Sequence, residues 1–390
     1  MGLTMTLEPF SLYIHIPYCI SKCPYCDFNS HVVAQIPETG YVDALLRELE
    51  YFGKEIEWRG RAMQSIFFGG GTPSTFKPAS IGKLLAWAAA TFPIAADCEI
   101  TMEANPGTVD AAHFAGYRDA GVNRISVGVQ SFQAKLLKFL GRVHSADEAK
   151  QALNVVKESG FENFSFDLIY ANPGQTLADL EADLDTALGF HPPHLSAYNL
   201  TFEEGTPFHR EYRAGRIANL DEDEEIAMAE LIDTKLSLAG LKRYEISNYS
   251  RPWFHSRHNV NYWHGGDYLG LGAGAHSYRR NHDGVTGQRW SNETSPSKYM
   301  ARVNDTGEAI IDRETIDRLK AAAEFMFLGL RMTDGVRSDL FGQRFGQSPR
   351  QFYPQIDGWI DSDLLVESAG FLRFTNKGLM LANSIFVHFM

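Results

Sequence analysis

Cysteine is scarce in this 390-residue chain: there are four, too few for the disulfide framework of a secreted scaffold. Three of them, Cys19, Cys23 and Cys26, crowd into one short stretch, while Cys98 lies alone in a strand-like run. That is ligand spacing, and it suits a reducing cytoplasm. Positive charge is also short, with 36 Lys and Arg against 48 Asp and Glu and a formal net charge of −12. The balance disfavours a nucleic-acid backbone or an anionic membrane surface as the main ligand. No long apolar run occurs: the longest, Leu84 to Ala96, is broken by Thr91 and Pro93. The opening MGLTMTLEP has no basic segment, so neither a signal peptide nor a membrane span is expected. Low-complexity tracts and solenoid repeats are lacking too. With 44% hydrophobic and 22% charged residues, the composition is that of a folded globular protein with a sizeable core.

What is present is a recurrence of short β-rich runs: SLYIHI at 11–16, QSIFF at 64–68, CEITME at 98–103, NRISVG at 123–128, NFSFDL at 163–168 and HLSAYN at 194–199. The intervening segments, such as 39–52 and 176–190, carry helical apolar spacing and are long enough for the crossovers that parallel strands need. Six strands alternating with helices predict an α/β fold, an incomplete parallel (β/α)6-type barrel over residues 1–240. Residues 241–310, which open on KRYEI and continue into a stretch rich in His, Gly and aromatic residues, read as an accessory region. Residues 311–390 have the element order of a winged-helix-like module. Over 315–390 eight Lys and Arg face eight Asp and Glu, so the module has no net charge with which to hold DNA.

The most specific signal is PYCISKCPYCDFN, which sets Cys19, Cys23 and Cys26 in a C-x3-C-x2-C loop directly after the first strand. Three thiolates can take three irons of a cubane cluster and leave the fourth iron open to a small chelating ligand. A zinc site completed by His15 or His31 is the competing reading. The second strand ends in FFGGGTPS, where Gly69, Gly70 and Gly71 let the backbone approach a ligand closely and Thr72 and Pro73 fix the exit. The loop lacks the lysine of a phosphate-binding GxxxxGK[ST] motif and the GxGxxG spacing, so nucleotide phosphate fits poorly. Later strand ends supply Glu103, Gln130 and Asp167, and Arg142 follows a short helical stretch. A carboxylate for an ammonium, a guanidinium for a carboxylate and acceptors for ribose hydroxyls make up such a set. In a barrel all of these gather at one mouth, at the C-terminal ends of the strands.

Taken together, the cysteine loop and the GGGTP segment resemble the radical S-adenosylmethionine (SAM) superfamily. The resemblance implies a [4Fe–4S] cluster on Cys19, Cys23 and Cys26 whose open iron is chelated by the methionyl end of SAM, and reductive cleavage of SAM to an adenosyl radical. From about Leu12 through the C-terminal module the chain is similar to the branch of that superfamily holding the coproporphyrinogen III oxidases and the HemW-like heme chaperones. By that pattern Tyr13 joins Gly69, Gly70, Gly71, Thr72, Glu103, Gln130, Arg142 and Asp167 as a SAM-site residue.

Two features separate the members of the branch. The oxidase pattern carries a further cysteine two positions after the third cluster ligand, where this chain has Phe28. The segment from Phe254 to His276 contains His258, Asn259, Tyr262 and Trp263 in an HNxxYW motif that resembles the heme-binding motif of the chaperones. An imidazole can ligate heme iron, and Tyr and Trp offer flat apolar area to a porphyrin face. The bland alternative is an aromatic loop packed under the barrel. On this reading His258 is the first choice of heme ligand, His255, His264 and His276 compete with it, and Arg251 or Arg257 would meet the propionates. The expected function is a heme chaperone that binds heme and hands it to acceptor hemoproteins, respiratory ones first, with a homodimer compatible and SAM bound, its cleavage slow, regulatory or absent. The rivals are an oxygen-independent coproporphyrinogen III oxidase and an iron–sulfur redox sensor that binds nucleic acid.

Overall fold

A computed structural model describes residues 7–389. The opening residues on which the signal-peptide reading partly rests, 1–6, and Met390 lie outside that range. Six strands form the parallel centre: β1 (Phe10–Ile16), β2 (Met63–Gly70), β3 (Ile94–Ala104), β4 (Arg124–Gln130), β5 (Asn163–Tyr170) and β6 (His194–Asn199). Each is hydrogen-bonded in parallel to the next, so the loops that follow the strands all lie at one end of the sheet. Between them run the crossover helices, α1 (Glu38–Lys54), α2 (Pro78–Thr91), α3 (Ala111–Asp119), α4 (Ala146–Glu158) and α5 (Leu177–Gly189). Two begin at reciprocal caps, Ser145 with Glu148 and Thr176 with Asp179, which satisfy amide donors that a helix start leaves free. The longest apolar run of the sequence divides where Thr91 and Pro93 predicted, into the end of α2 and the start of β3.

The sheet does not stop at six strands. A helix (α6, Glu222–Leu238) leads to β7 (Lys242–Arg243) and β8 (Asn248–Ser250), which close the β6 edge in antiparallel fashion. A short helix (α7, Arg257–Trp263) then crosses back, and β9 (Tyr268–Leu271) pairs in parallel with β1 at the opposite edge. The meander β10 (His276–Arg280), β11 (Gly287–Asn292) and β12 (Ile310–Ile316) continues the sheet beyond β9. The stretch 241–310 is thus built into both edges of the barrel sheet.

A buried carboxylate fastens this extension. Glu48 of α1 is fully buried and accepts hydrogen bonds from Tyr299 Oη (2.6 Å), Asn292 Nδ2 (2.6 Å) and the Gly272 amide (2.9 Å). Burial raises its pKa to about 7 in spite of those donors.

Residues after 316 carry their own apolar core, including Met326, Phe341, Phe345, Leu372 and Phe386, to which Tyr278 of β10 contributes. Helices α8 (Arg318–Gly329) and α9 (Ser338–Phe345) lead into a small antiparallel sheet of β13 (Val336–Arg337), β14 (Leu365–Ser368) and β15 (Phe371–Phe374), giving the winged-helix-like element set. The module is stitched to the barrel by Thr333, whose amide donates to Tyr244 O at 3.0 Å, and by the Arg331 guanidinium, 4.5 Å from the Trp263 ring centroid. Among the described residues no helix is long and apolar enough to cross a membrane.

Candidate cofactor site and an adjoining apolar cavity

The cysteine loop leaves β1 and is closed at its base by a short parallel bridge of Tyr18–Cys19 with His31–Val32. Cys19, Cys23 and Cys26, all free thiols, line one wall of a cavity of about 630 Å³ at the C-terminal ends of the strands. Opposite them stand Gly70, Gly71, Thr72, Glu103, Gln130, Arg142 and Asp167. Seven of the nine residues expected from sequence to hold SAM therefore face the same space as the thiols.

Two hydrogen bonds already point at sulfur: Thr72 Oγ1 donates to Cys19 Sγ and Arg142 Nη1 to Cys23 Sγ, each at 3.4 Å. Donors to the sulfurs are what a thiolate-bound cluster carries, so the residues fit a [4Fe–4S] group. The zinc reading is not supported: both ring nitrogens of His15 are engaged, Nδ1 with Tyr13 Oη at 3.0 Å and Nε2 with Asn29 O at 2.8 Å, and among the described residues no group of three or more His, Cys, Asp or Glu is spaced for a single metal ion. Cys98 is buried away from the loop, and burial pushes its thiol up to about 12.

The glycines act by close approach. Gly70 adopts φ +113°, and a Cβ there would collide with the His15 ring. A Cβ on Gly71 would fall 2.7 Å from Tyr18 O. Glu103 Oε2 accepts from the Gly70 amide at 3.2 Å, and burial, with the charge of Asp167 adding to it, raises its pKa to about 8. Asp167 is likewise raised by burial, to about 6, against the hydroxyls of Ser196 and Ser126. Gln130 holds φ +71°, a conformation costly for a residue with a Cβ, and so turns its amide into the cavity at the end of β4. The site can thus receive a positively charged ligand against two buried carboxyls while Arg142 faces the cysteines.

Two expected SAM residues lie elsewhere. Gly69 sits behind the wall, between the Tyr13 and Phe67 rings. Tyr13 donates or accepts at His15 Nδ1 (3.0 Å) and faces a second, larger cavity. Sequence reading also missed three participants. Asn105 links Thr72 Oγ1 (2.9 Å) to Arg142 Nη2 (2.6 Å), Tyr25 lies 3.4 Å from Arg142, and Arg331 arrives from the C-terminal module. Tyr25 between two cluster cysteines and Asn105 two residues after Glu103 were findable by position. Arg331 had no local signal.

The second cavity, about 1130 Å³, lies between the barrel mouth and the C-terminal module and meets the first at Phe28, Gly70 and Glu103. Tyr262 and Trp263 of the HNxxYW motif form part of its wall, and Phe325 and Phe327 of α8 face them. His255, His264 and His276 also line it, and no hydrogen bond occupies their rings among the described residues. Burial lowers the pKa of all three, which favours the neutral imidazole that binds metal.

His258, the first choice of ligand from sequence, does not reach this cavity. It is buried under β2, with Nδ1 at 2.9 Å from Ser65 Oγ, Nε2 at 2.9 Å from Tyr262 Oη and its ring stacked on Phe67. Burial lowers its pKa to about 3. Both ring nitrogens are engaged, so His258 holds Tyr262 in place from behind. Asn259 sits in the first turn of α7, where its amide meets the Ser256 cap, and it does not line the cavity. The expected propionate partners are misplaced as well: Arg257 pairs with Asp97 at 2.7 Å, and Arg251 is exposed outside the cavity.

A parallel α/β half-barrel with three cysteines after its first strand and a glycine-rich loop after its second defines a radical SAM protein. Residues 13–187 match the model of the Radical SAM superfamily and residues 316–381 that of the HemN C-terminal domain. Curated relatives named heme chaperone HemW include those of Haemophilus influenzae, 39% identical and covering 98% of both chains, and Escherichia coli, 38% identical over 98% of this chain and 99% of the relative. The HemW of Bacillus subtilis is 34% identical over 97% of this chain and 99% of its own. The chain belongs to the HemW family. Among solved structures, coproporphyrinogen III oxidase (HemN) of Escherichia coli superimposes with a TM-score of 0.83 at 23% identity, over 98% of this chain and 90% of that one, which establishes the shared fold.

Proposed function

We propose that this protein is a heme chaperone: it binds heme in the larger cavity and releases it to an acceptor hemoprotein, with the radical SAM site alongside. The observation that carries the reading is the cavity of about 1130 Å³ walled by Tyr262 and Trp263 and supplied with three free imidazoles. Its size is slightly above the roughly 300–1,000 Å³ usual for ligand pockets, roomy enough for a porphyrin. Aromatic walls take up the macrocycle faces, and His255, His264 or His276 supplies the axial nitrogen. His258 positions Tyr262.

In the smaller cavity, Cys19, Cys23 and Cys26 would hold the [4Fe–4S] cluster and leave room for SAM along Gly70, Gly71, Glu103, Gln130 and Asp167. When bound, the cluster supplies an electron to SAM. Arg142 and Thr72 donate to the sulfurs and stabilise their thiolate form, Glu103 accepts from a ligand ammonium, and Asp167 and Gln130 offer acceptors to hydroxyls. Phe28 places an apolar ring at the junction with the larger cavity, where the decarboxylase pattern has a cysteine. The unpaired cysteines and acidic balance support a cytoplasmic location and argue against a nucleic-acid role.

The test is heme titration of the anaerobically reconstituted protein, read at the Soret band, for wild type and the single alanine variants of His255, His264 and His276. One heme per chain with the Soret maximum displaced in one variant is expected. Conversion of coproporphyrinogen III to protoporphyrinogen without specific heme uptake would hand the site to the oxidase reading.

A further inference from the structure

Most of the larger cavity is apolar, but one end carries cations. Arg289 is neutralised there by Glu324 at 2.6 Å and Glu314 at 3.3 Å, and Arg337 by Asp339. Arg344 of α9 lines the same end and is different. Its Nη2 donates to Val285 O at 3.1 Å, it meets the Tyr278 hydroxyl, and its Nε is buried without a partner. Burial, with the like charge of nearby Arg280 adding to it, lowers the pKa of Arg344. The Nη2 of Arg280 donates to Gly265 O at 2.8 Å, and its Nε too is buried and unpartnered. Neither guanidinium has a carboxylate within ion-pair distance among the described residues, and Glu324, which acts on Arg344 from farther away, is held by Arg289.

Two neighbouring guanidiniums, each half-buried with an unpartnered Nε and no counter-charge, are unfavourable on their own. The arrangement is stabilised by an anion, and the planar guanidinium fork matches a carboxylate better than any other side chain does. An apolar cavity broad enough for a macrocycle, with the uncompensated Arg344 on its wall and Arg280 behind it, fits a flat apolar molecule that carries its carboxylates on one edge.

We propose that Arg344, backed by Arg280, anchors the propionate edge of the porphyrin and so fixes the orientation in which heme enters the cavity. This rests on the heme reading above. It also gives the C-terminal module a task, since α9 brings the anchoring charge to a cavity whose aromatic motif belongs to α7.

The experiment compares iron protoporphyrin IX with its dimethyl ester, which keeps the macrocycle and lacks the propionate charge, on the full reconstituted chain. Wild type should bind heme roughly ten- to a hundredfold more tightly than the ester, the range of a charge-assisted hydrogen bond. Arg344→Gln should abolish most of that preference by weakening heme binding, with the ester little changed. Arg280→Gln should shift the preference in the same direction by less, and it reads the proposal if Arg344→Gln does not fold. Equal loss for heme and ester in both variants, or an unchanged preference, would overturn the anchor while leaving heme binding intact. Failure of wild type to take up either porphyrin would overturn the heme reading itself.

Discussion

The buried Glu48 couples fold and function in a way that titration can read. Its three donors, Tyr299, Asn292 and the Gly272 amide, fix the turn that leads from β9 to Gly274 and His276 on the wall of the larger cavity. Replacing it by alanine leaves those buried donors unpaired, and at about 1–3 kcal/mol for each orphaned group the loss is at least about 3 kcal/mol. The glutamine variant isolates charge from size. The pKa of Glu48 rises from 4.5 in the unfolded chain to about 7 in the fold. The stabilising contribution of the protonated acid is therefore whole below 4.5, declines as the pH rises towards 7, and is gone above it. The span is worth on the order of 3 kcal/mol. Glu48→Gln turns an amide N–H2 towards groups that already donate, so at pH 5 it should be less stable than wild type by about 1–2 kcal/mol. Between pH 5 and pH 8 wild type loses its advantage, so the two should converge and then cross. Urea unfolding of the full chain, followed by far-UV circular dichroism at unit pH steps, measures the difference, from which titrating groups common to both proteins cancel. A gap that stays constant from pH 5 to pH 8 would refute the buried-acid argument.

Two further expectations concern the smaller cavity. Alanine at Cys19, Cys23 and Cys26 together should remove the visible absorption of the reconstituted cluster, whereas Cys98→Ser should retain it because that thiol is buried elsewhere; absorption surviving in the triple variant would contradict the assignment. Because burial raises the pKa of Glu103 to about 8 and an α-amino group loses its proton in the same range, the ratio of wild-type to Glu103→Gln affinity for SAM should pass through a maximum near pH 8 and fall on either side of it. Equilibrium dialysis would measure it, and a ratio independent of pH would place the ammonium elsewhere.

Local chemistry made much of this legible in sequence. Short β-rich runs located all six central strands because parallel strands buried on both faces have little freedom in composition. The cysteine spacing and the glycine loop were readable because a cluster and a close backbone approach each restrict residue type at adjacent positions. Glu103, Gln130 and Asp167 followed from strand ends, where a barrel brings its loops to one mouth, and Arg142 from the short helical stretch after one of them.

What the sequence alone determined, then, was the parallel centre, the thiols and the polar residues that follow each strand, since these depend on short-range pattern. Only the tertiary structure decided which imidazoles are free. His258 and His264 are six residues apart on and just after one short helix, yet burial against Ser65 and Tyr262 occupies the first while the second opens to the cavity. The same holds for the charges: Arg257 is taken by Asp97, and Arg344, far along the chain, is carried to the larger cavity by the packing of the C-terminal module. Contacts between residues remote in sequence set burial and pairing, and those set which side chains remain available for chemistry.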